Sequence, residues 1–359
     1  MRTGIAALPL HSGHTPKWLF ERMARLGRAI VLVLVEEFGP HQVLRRLADP
    51  FWFQALGCIL GFDWHSSGVT TTVCGALKEG LRDVSREIGL FVAGGKGRAS
   101  RRTPQEIREV ADEIGVPGDP LVYASRMAAK VDSAAVQDGY QLYHHTFLFT
   151  RDGAWAVIQQ GMNTETRYAR RYHWLSDEVE SFVCEPHLAV CCDWRGKALN
   201  LVAEESGRAR EVIADLSREP PERVEREWEK VLALSLPPHH EVRIEEIHPR
   251  RLTSILLQTY EAQPRTFENL LSLQGVGPRT LRALALIAEL VYGAPPSFRD
   301  PARFSFAHGG KDGHPYPVDR STYDQSIAVL ERALMRSRIS PTEKDGALRR
   351  LFTFLRGAQ

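Results

Sequence analysis

From Pro16 to Glu37, apolar residues recur every three to four positions, the period that lines one face of a helix, and Gly39-Pro40 closes the run. A short helix is expected from Gln42 to Leu47. A more apolar helix follows over Pro50 to Leu60, stopped by Gly61. The stretch Phe62-Asp63-Trp64-His65-Ser66-Ser67-Gly68 reads as a loop whose serines can cap a helix over Val69 to Glu87. Gly94-Gly95-Lys96-Gly97 through Arg101-Arg102-Thr103-Pro104 reads as a flexible basic loop, with Thr103 as helix cap and Glu106 as its partner. After a helical stretch from Tyr123 to Val136, the period changes. Tyr140 to Thr150 and Ala154 to Gln160 alternate as strands do, and Arg151-Asp152-Gly153 between them is a hairpin turn signal. Residues 180–202 are expected to add two strands around Trp194-Arg195-Gly196-Lys197, and the pattern from Pro220 onward is helical.

These elements predict an α+β protein in three parts: a helical N-terminal region over 1–115, a middle region over 116–218 with a small antiparallel sheet, and an all-helical C-terminal domain over 219–359. Composition changes this picture little. With 46 Lys+Arg against 44 Asp+Glu the net charge is +2, so any surface for an anionic partner has to be local. The five cysteines, Cys58, Cys74, Cys184, Cys191 and Cys192, include no CxxC pair, which argues against a disulfide framework or a zinc ribbon. The longest apolar run, Ala29 to Val35, is too short to cross a bilayer, and no signal peptide opens the chain, so a cytoplasmic protein without a membrane partner is expected.

The most specific chemistry lies between Phe267 and Leu290, two helical patterns around Gly275-Val276-Gly277-Pro278. The glycines permit backbone angles that a side chain would forbid, Val276 points inward, and Pro278 suits the first position of a helix. A row of free backbone N–H groups at that helix N-terminus can take a phosphate. The segment resembles the helix-hairpin-helix superfamily, which implies sequence-independent contact of Gly275, Val276, Gly277, Arg279 and Thr280 with the DNA backbone. Farther on, Gly309-Gly310-Lys311-Asp312-Gly313-His314-Pro315-Tyr316-Pro317-Val318-Asp319-Arg320 resembles the loop and Val-Asp of helix-hairpin-helix DNA glycosylases. That likeness implies Asp319 as the acid that stabilises a sugar cation or activates water. The chain departs from those enzymes in two ways. Ala294 to His308 lengthens the gap, and Arg279 stands where lyase-competent members carry a lysine. An arginine cannot be deprotonated to form a Schiff base.

Over nearly its full length the chain also resembles an uncharacterised prokaryotic family, a domain of unknown function usually fused to this hairpin. The resemblance rests on Arg2-Thr3-Gly4, Leu8-Pro9-Leu10-His11, Pro16-Lys17-Trp18-Leu19-Phe20, Phe62 to Gly68, Gln137-Asp138-Gly139-Tyr140 and Tyr143-His144-His145. It implies the domain pairing and no activity. Imidazoles and carboxylates gather in these segments. His11, His65, Asp138 and His144 are candidate catalytic groups, and Asp63, His65, Asp138 and His144 are candidate ligands for Mg²⁺ or Mn²⁺ in phosphodiester hydrolysis. Against them stand the plain readings of Asp138-Gly139 as a turn and of His144 and His145 as strand residues facing opposite ways. Lys96, Arg98, Arg101 and Arg102, with Arg170 and Arg171, suit a phosphate path. Tyr140/Tyr143 and Tyr172/Trp174 are candidate base-stacking pairs. Gly94-Gly95-Lys96-Gly97 lacks the strand and the Lys-Ser/Thr ending of a P-loop, so no nucleotide cofactor is indicated. Three functions follow: a metal-dependent nuclease of DNA-repair type, a monofunctional DNA glycosylase using Asp319, or a DNA-binding module without catalysis.

Overall fold

The computed structural model describes residues 15–62, 67–192, 195–234, 249–302 and 320–357. It opens with a long helix, α1 (Lys17–Ala48), which Gly39 divides by taking φ 78° just before Pro40. Asp49 caps α2 (Pro50–Leu60) by accepting the amides of Phe51 and Trp52, and Gly61 ends it at φ 105°. α3 (Gly68–Leu81) and α4 (Ser85–Ile88) follow as two helices where the pattern predicts one. The strand β1 (Leu90–Lys96) leads to α5 (Arg98–Arg101), α6 (Thr103–Ile114) and α7 (Gly118–Lys130), and one turn of π-helix, Val131–Ala135, continues α7. Next come β2 (Val136–Gln137), β3 (Gln141–Thr150), β4 (Trp155–Asn163), β5 (Tyr168–Leu175), β6 (Ala189–Cys191) and β7 (Leu199–Asn200). The remaining helices are α8 (Gly207–Leu216), α9 (Pro221–Leu232), α10 (Pro249–Ala262), α11 (Phe267–Ser272), α12 (Pro278–Leu290), α13 (Arg320–Arg336) and α14 (Pro341–Gly357).

Five strands form one antiparallel sheet in the order β1-β3-β4-β5-β6. Alternation along each strand divides its side chains between two cores. Phe91, Phe147, Phe149, Val157, Tyr172 and Trp174 join one core with residues of α6 to α12. Leu90, Leu148, Ala156, Ile158 and Leu175 join the other, with residues of α1 to α3, α13 and α14. The protein is therefore α+β, with the sheet as a middle layer covered on both faces. β1 and β5 escape the alternation test because glycines fill the end of β1 and two adjacent arginines, each buried on a different face, interrupt β5.

One expectation is corrected here. The basic loop at 94–104 is not a loop: Gly94, Gly95 and Lys96 complete β1, and Arg98–Arg101 is helical. Thr103 lies inside α6, donating its hydroxyl to the Ser100 carbonyl, while Glu106 accepts from the Gly94 amide and from Lys78. The packing joins distant parts of the chain. The core that contains α10 to α12 includes β1, and α13 and α14 pack against α1 and α2 instead of α12.

Candidate nucleic-acid interface

Thr266 starts α11 by accepting the Asn269 amide on its side chain, and Pro278 occupies the first turn of α12. The connection between them turns at Gly275, φ 90°, where a Cβ would come within 2.8 Å of Ile255 Cδ1. Gly277 differs from the sequence expectation. Its φ of −138° is extended backbone open to any residue, and an added Cβ would meet nothing nearer than the Gly275 oxygen at 3.8 Å. Val276 is buried and pins the turn to the core.

Four carbonyls of the turn, those of Leu273, Gln274, Val276 and Pro278, are held by side chains from the protein side. Lys130 Nζ donates to the oxygens of Leu273 and Val276 at 2.7 Å each. Gln258 Nε2 donates to the Gln274 oxygen at 2.8 Å, and Gln137 Nε2 to that of Pro278 at 2.8 Å. Arg282 Nε braces Gln137 Oε1 at 2.7 Å. The amides face the other way. Among the described residues no acceptor pairs with the N–H of Gly275, Gly277, Arg279 or Thr280. They border a cleft of about 320 Å³ lined by Arg251, Gly275, Gly277, Pro278, Arg279 and Thr280. Arg251 and Arg279 are exposed, and neither has a carboxylate partner among the described residues. Burial lowers the pKa of Lys130 from the usual lysine value.

Lys96, Arg98, Arg101 and Arg102 are exposed at the end of β1 and on α5. Lys96 pairs in the ladder with His144, seven residues from Gln137, whose side chain holds Pro278. Seven residues span at most about 25 Å, and with the ladder spacing and the Gln137 side chain added the basic segment lies within about 40 Å of the α11–α12 turn.

The remaining candidates are placed differently. Arg170 and Arg171 point to opposite faces of the sheet, and both side chains are fully buried, so they are removed from any phosphate path. Arg170 pairs with Asp138 and with Asp300, each at 2.8 Å, and stacks over Tyr140. Asp138 also accepts the Tyr172 hydroxyl at 2.8 Å. Burial pushes the Asp138 carboxyl up, and the Arg170 guanidinium, which keeps its proton, pulls it back toward the ion pair. Asp138 is thus an internal counter-ion, closed off from a substrate. Arg171 donates to Gln54 Oε1 at 2.9 Å and lies over Phe53. Tyr172 and Trp174 are core residues with no exposed ring to offer a base.

His144 is on the face opposite Asp138. Its Nε2 meets the Thr146 hydroxyl at 2.9 Å, and burial, with His145 and Lys96 nearby, lowers its pKa to about 3. The paired metal ligands expected from Asp138 and His144 are therefore separated by the sheet. Among the described residues no group of three or more His, Cys, Asp or Glu is arranged to hold a metal ion. His11, Asp63, His65 and Asp319 lie outside the described residues.

The links of one buried chain, though not its polar residues, went unread in the sequence. Ser125 meets His145 Nε2 at 2.9 Å, and His145 Nδ1 meets Gln159 at 2.7 Å. Gln159 and His187 both reach Asp132, which also accepts Trp174 Nε1 at 3.0 Å. Lys130 and Arg251 were missed as well, because nothing in their local pattern marks them.

Among the described residues no helix is long and apolar enough to cross a membrane. The chain matches no curated protein and no solved structure. A family profile described as "Protein of unknown function (DUF763)" matches residues 4–318. With most of its length inside that match, the chain belongs to the DUF763 family.

Proposed function

We propose that this protein binds a polynucleotide backbone, DNA in the first instance, with α11, the Gly275 turn and α12 acting as a helix-hairpin-helix. One observation carries the reading: side chains hold four carbonyls of the turn from behind, while four amides without an acceptor border a cleft flanked by Arg251 and Arg279. Amides at a helix start, beside guanidinium groups, favour an anionic oxygen and ignore base identity. Lys96, Arg98, Arg101 and Arg102 are exposed, and on this reading they meet further phosphates of the bound polynucleotide. The proposal is for binding; no residue set among those described supports a catalytic step on the bound strand.

Binding of a fluorescein-labelled 20-base-pair duplex, followed by anisotropy across a salt series, tests this. With all six cations engaged, log K falls against log salt with a slope of about −5; Arg251 and Arg279 alone give about −2. Gly277→Asp places a carboxylate against the amides without straining the backbone, and lowers affinity at least about tenfold. Unchanged affinity in that variant, or no binding by the wild type, refutes the reading. The same samples with Mg²⁺ or Mn²⁺ show whether the strand is also cut.

A further inference from the structure

Lys130 has no carboxylate beside it among the described residues. It is the last residue of α7, half-buried, and its ammonium is spent on two neutral carbonyls, those of Leu273 and Val276. Placing a cation there costs desolvation that neutral partners recover only in part. The Val276 carbonyl and the Gly277 N–H belong to one trans peptide and point in opposite directions. An ammonium on the carbonyl therefore does two things to the amide. It fixes the peptide plane so that the N–H faces the cleft, and it draws electron density from the peptide nitrogen, making the N–H a stronger donor.

A second observation shows that the cleft is built for an acceptor. Thr280 is 7% exposed and lines the cleft, yet its hydroxyl has no hydrogen-bond partner among the described residues. That oxygen keeps an opening to solvent on the cleft, where an arriving acceptor can take its proton in a hydrogen bond.

Resting on the backbone-binding reading above, we propose that Lys130 is a positioning residue. It holds the turn from behind and charges the Gly277 amide as a donor to a phosphodiester oxygen, with the Thr280 hydroxyl as a second donor. Lys130 itself never touches the phosphate.

Three variants and two readouts decide it. Lys130→Met keeps the stem and removes the charge, Lys130→Arg restores a cation, and Arg279→Ala removes a direct contact. Duplex affinity should fall about tenfold in Lys130→Met, the effect of weakening one hydrogen bond to a charged group, and recover in large part in Lys130→Arg. The salt slope should be kept in Lys130→Met, whereas Arg279→Ala reduces it by about 1. In ¹H–¹⁵N spectra of the free protein, the Gly277 amide proton should move upfield in Lys130→Met and return in Lys130→Arg, with the amides of α12 beyond Leu281 unmoved. Wild-type affinity in Lys130→Met, or a slope lowered as in Arg279→Ala, overturns the proposal. A wild-type chain that leaves the duplex free sinks the binding reading instead. The Gly277 shift then decides the action of Lys130 alone, and an unmoved resonance refutes it.

Discussion

Three imidazoles among the described residues are buried, and lowering the pH should unfold the protein through them. His144, His145 and His173 are all buried, and burial lowers the pKa of each, to about 3 for His144. His145 is held between Ser125 and Gln159, and His173 lies edge-on to Phe53. A histidine in the unfolded chain titrates near 6.5. Above that pH both states are neutral and the folded state loses nothing. As the pH falls below 6.5, the unfolded chain takes up protons that the folded chain refuses, so stability drops steadily toward the folded pKa values. At pH 5.5 His144 alone costs about 1.4 kcal/mol relative to pH 8, and the lowered pKa values of His145 and His173 add to the loss in the same direction. Against a typical total of about 5–15 kcal/mol that is readily measured. The window excludes Glu37, Asp152 and Glu343, whose lowered pKa values act only in stronger acid. Urea unfolding followed by the fluorescence of the buried Trp52 and Trp174 at pH 8, 6.5 and 5.5 measures the loss. His173→Leu should reduce the loss, since it removes one of the groups that refuses its proton in the folded state. A change under about 1 kcal/mol between pH 8 and 5.5 would refute the reasoning, because one buried neutral imidazole already exceeds it.

Asp138→Ala should destabilise the protein by about 3 kcal/mol or more, because it leaves the buried Arg170 guanidinium and the Tyr172 hydroxyl without their shared acceptor. Thermal melting checks it; a variant that melts like the wild type would return Asp138 to the list of catalytic candidates. Gly94→Ala should cost at least about 2 kcal/mol, since φ is +92° and the new Cβ would sit 2.2 Å from the His145 oxygen. Gly277→Ala, with open space around it, should stay within about 0.5 kcal/mol of the wild type. Equal melting temperatures for these two alanine variants would contradict the backbone geometry described for β1 and the turn.

Elements written in local chemistry were legible. Asp49, Pro50 and Gly61 bracket α2, Gly39-Pro40 breaks α1, and Asp152-Gly153 joins β3 to β4, each through contacts within a few residues. The paired helices around Gly275 were readable for the same reason. Arg170-Arg171 misleads because adjacent charges ordinarily mean a surface. Here each faces a different core, and their partners Asp138, Asp300 and Gln54 are 32 to 130 positions away. Lys96 and its neighbours were read as one loop because glycines usually mark loops, whereas Gly94 is needed where the chain passes the His145 carbonyl. Lys130 reaches carbonyls 143 and 146 positions downstream, a relation that no local pattern records.

The packing of α13 and α14 against α1 and α2 bears on how the protein is made. Leu330, Leu334 and Leu351 complete a core begun by Met23, Ile30 and Leu34, some three hundred positions earlier in synthesis. While the ribosome is still translating, that first core remains an open apolar surface, and closing so long a loop is slow. Folding of the half built first must therefore wait for the half built last. A nascent chain stalled before Arg320 should be a substrate for holdase chaperones.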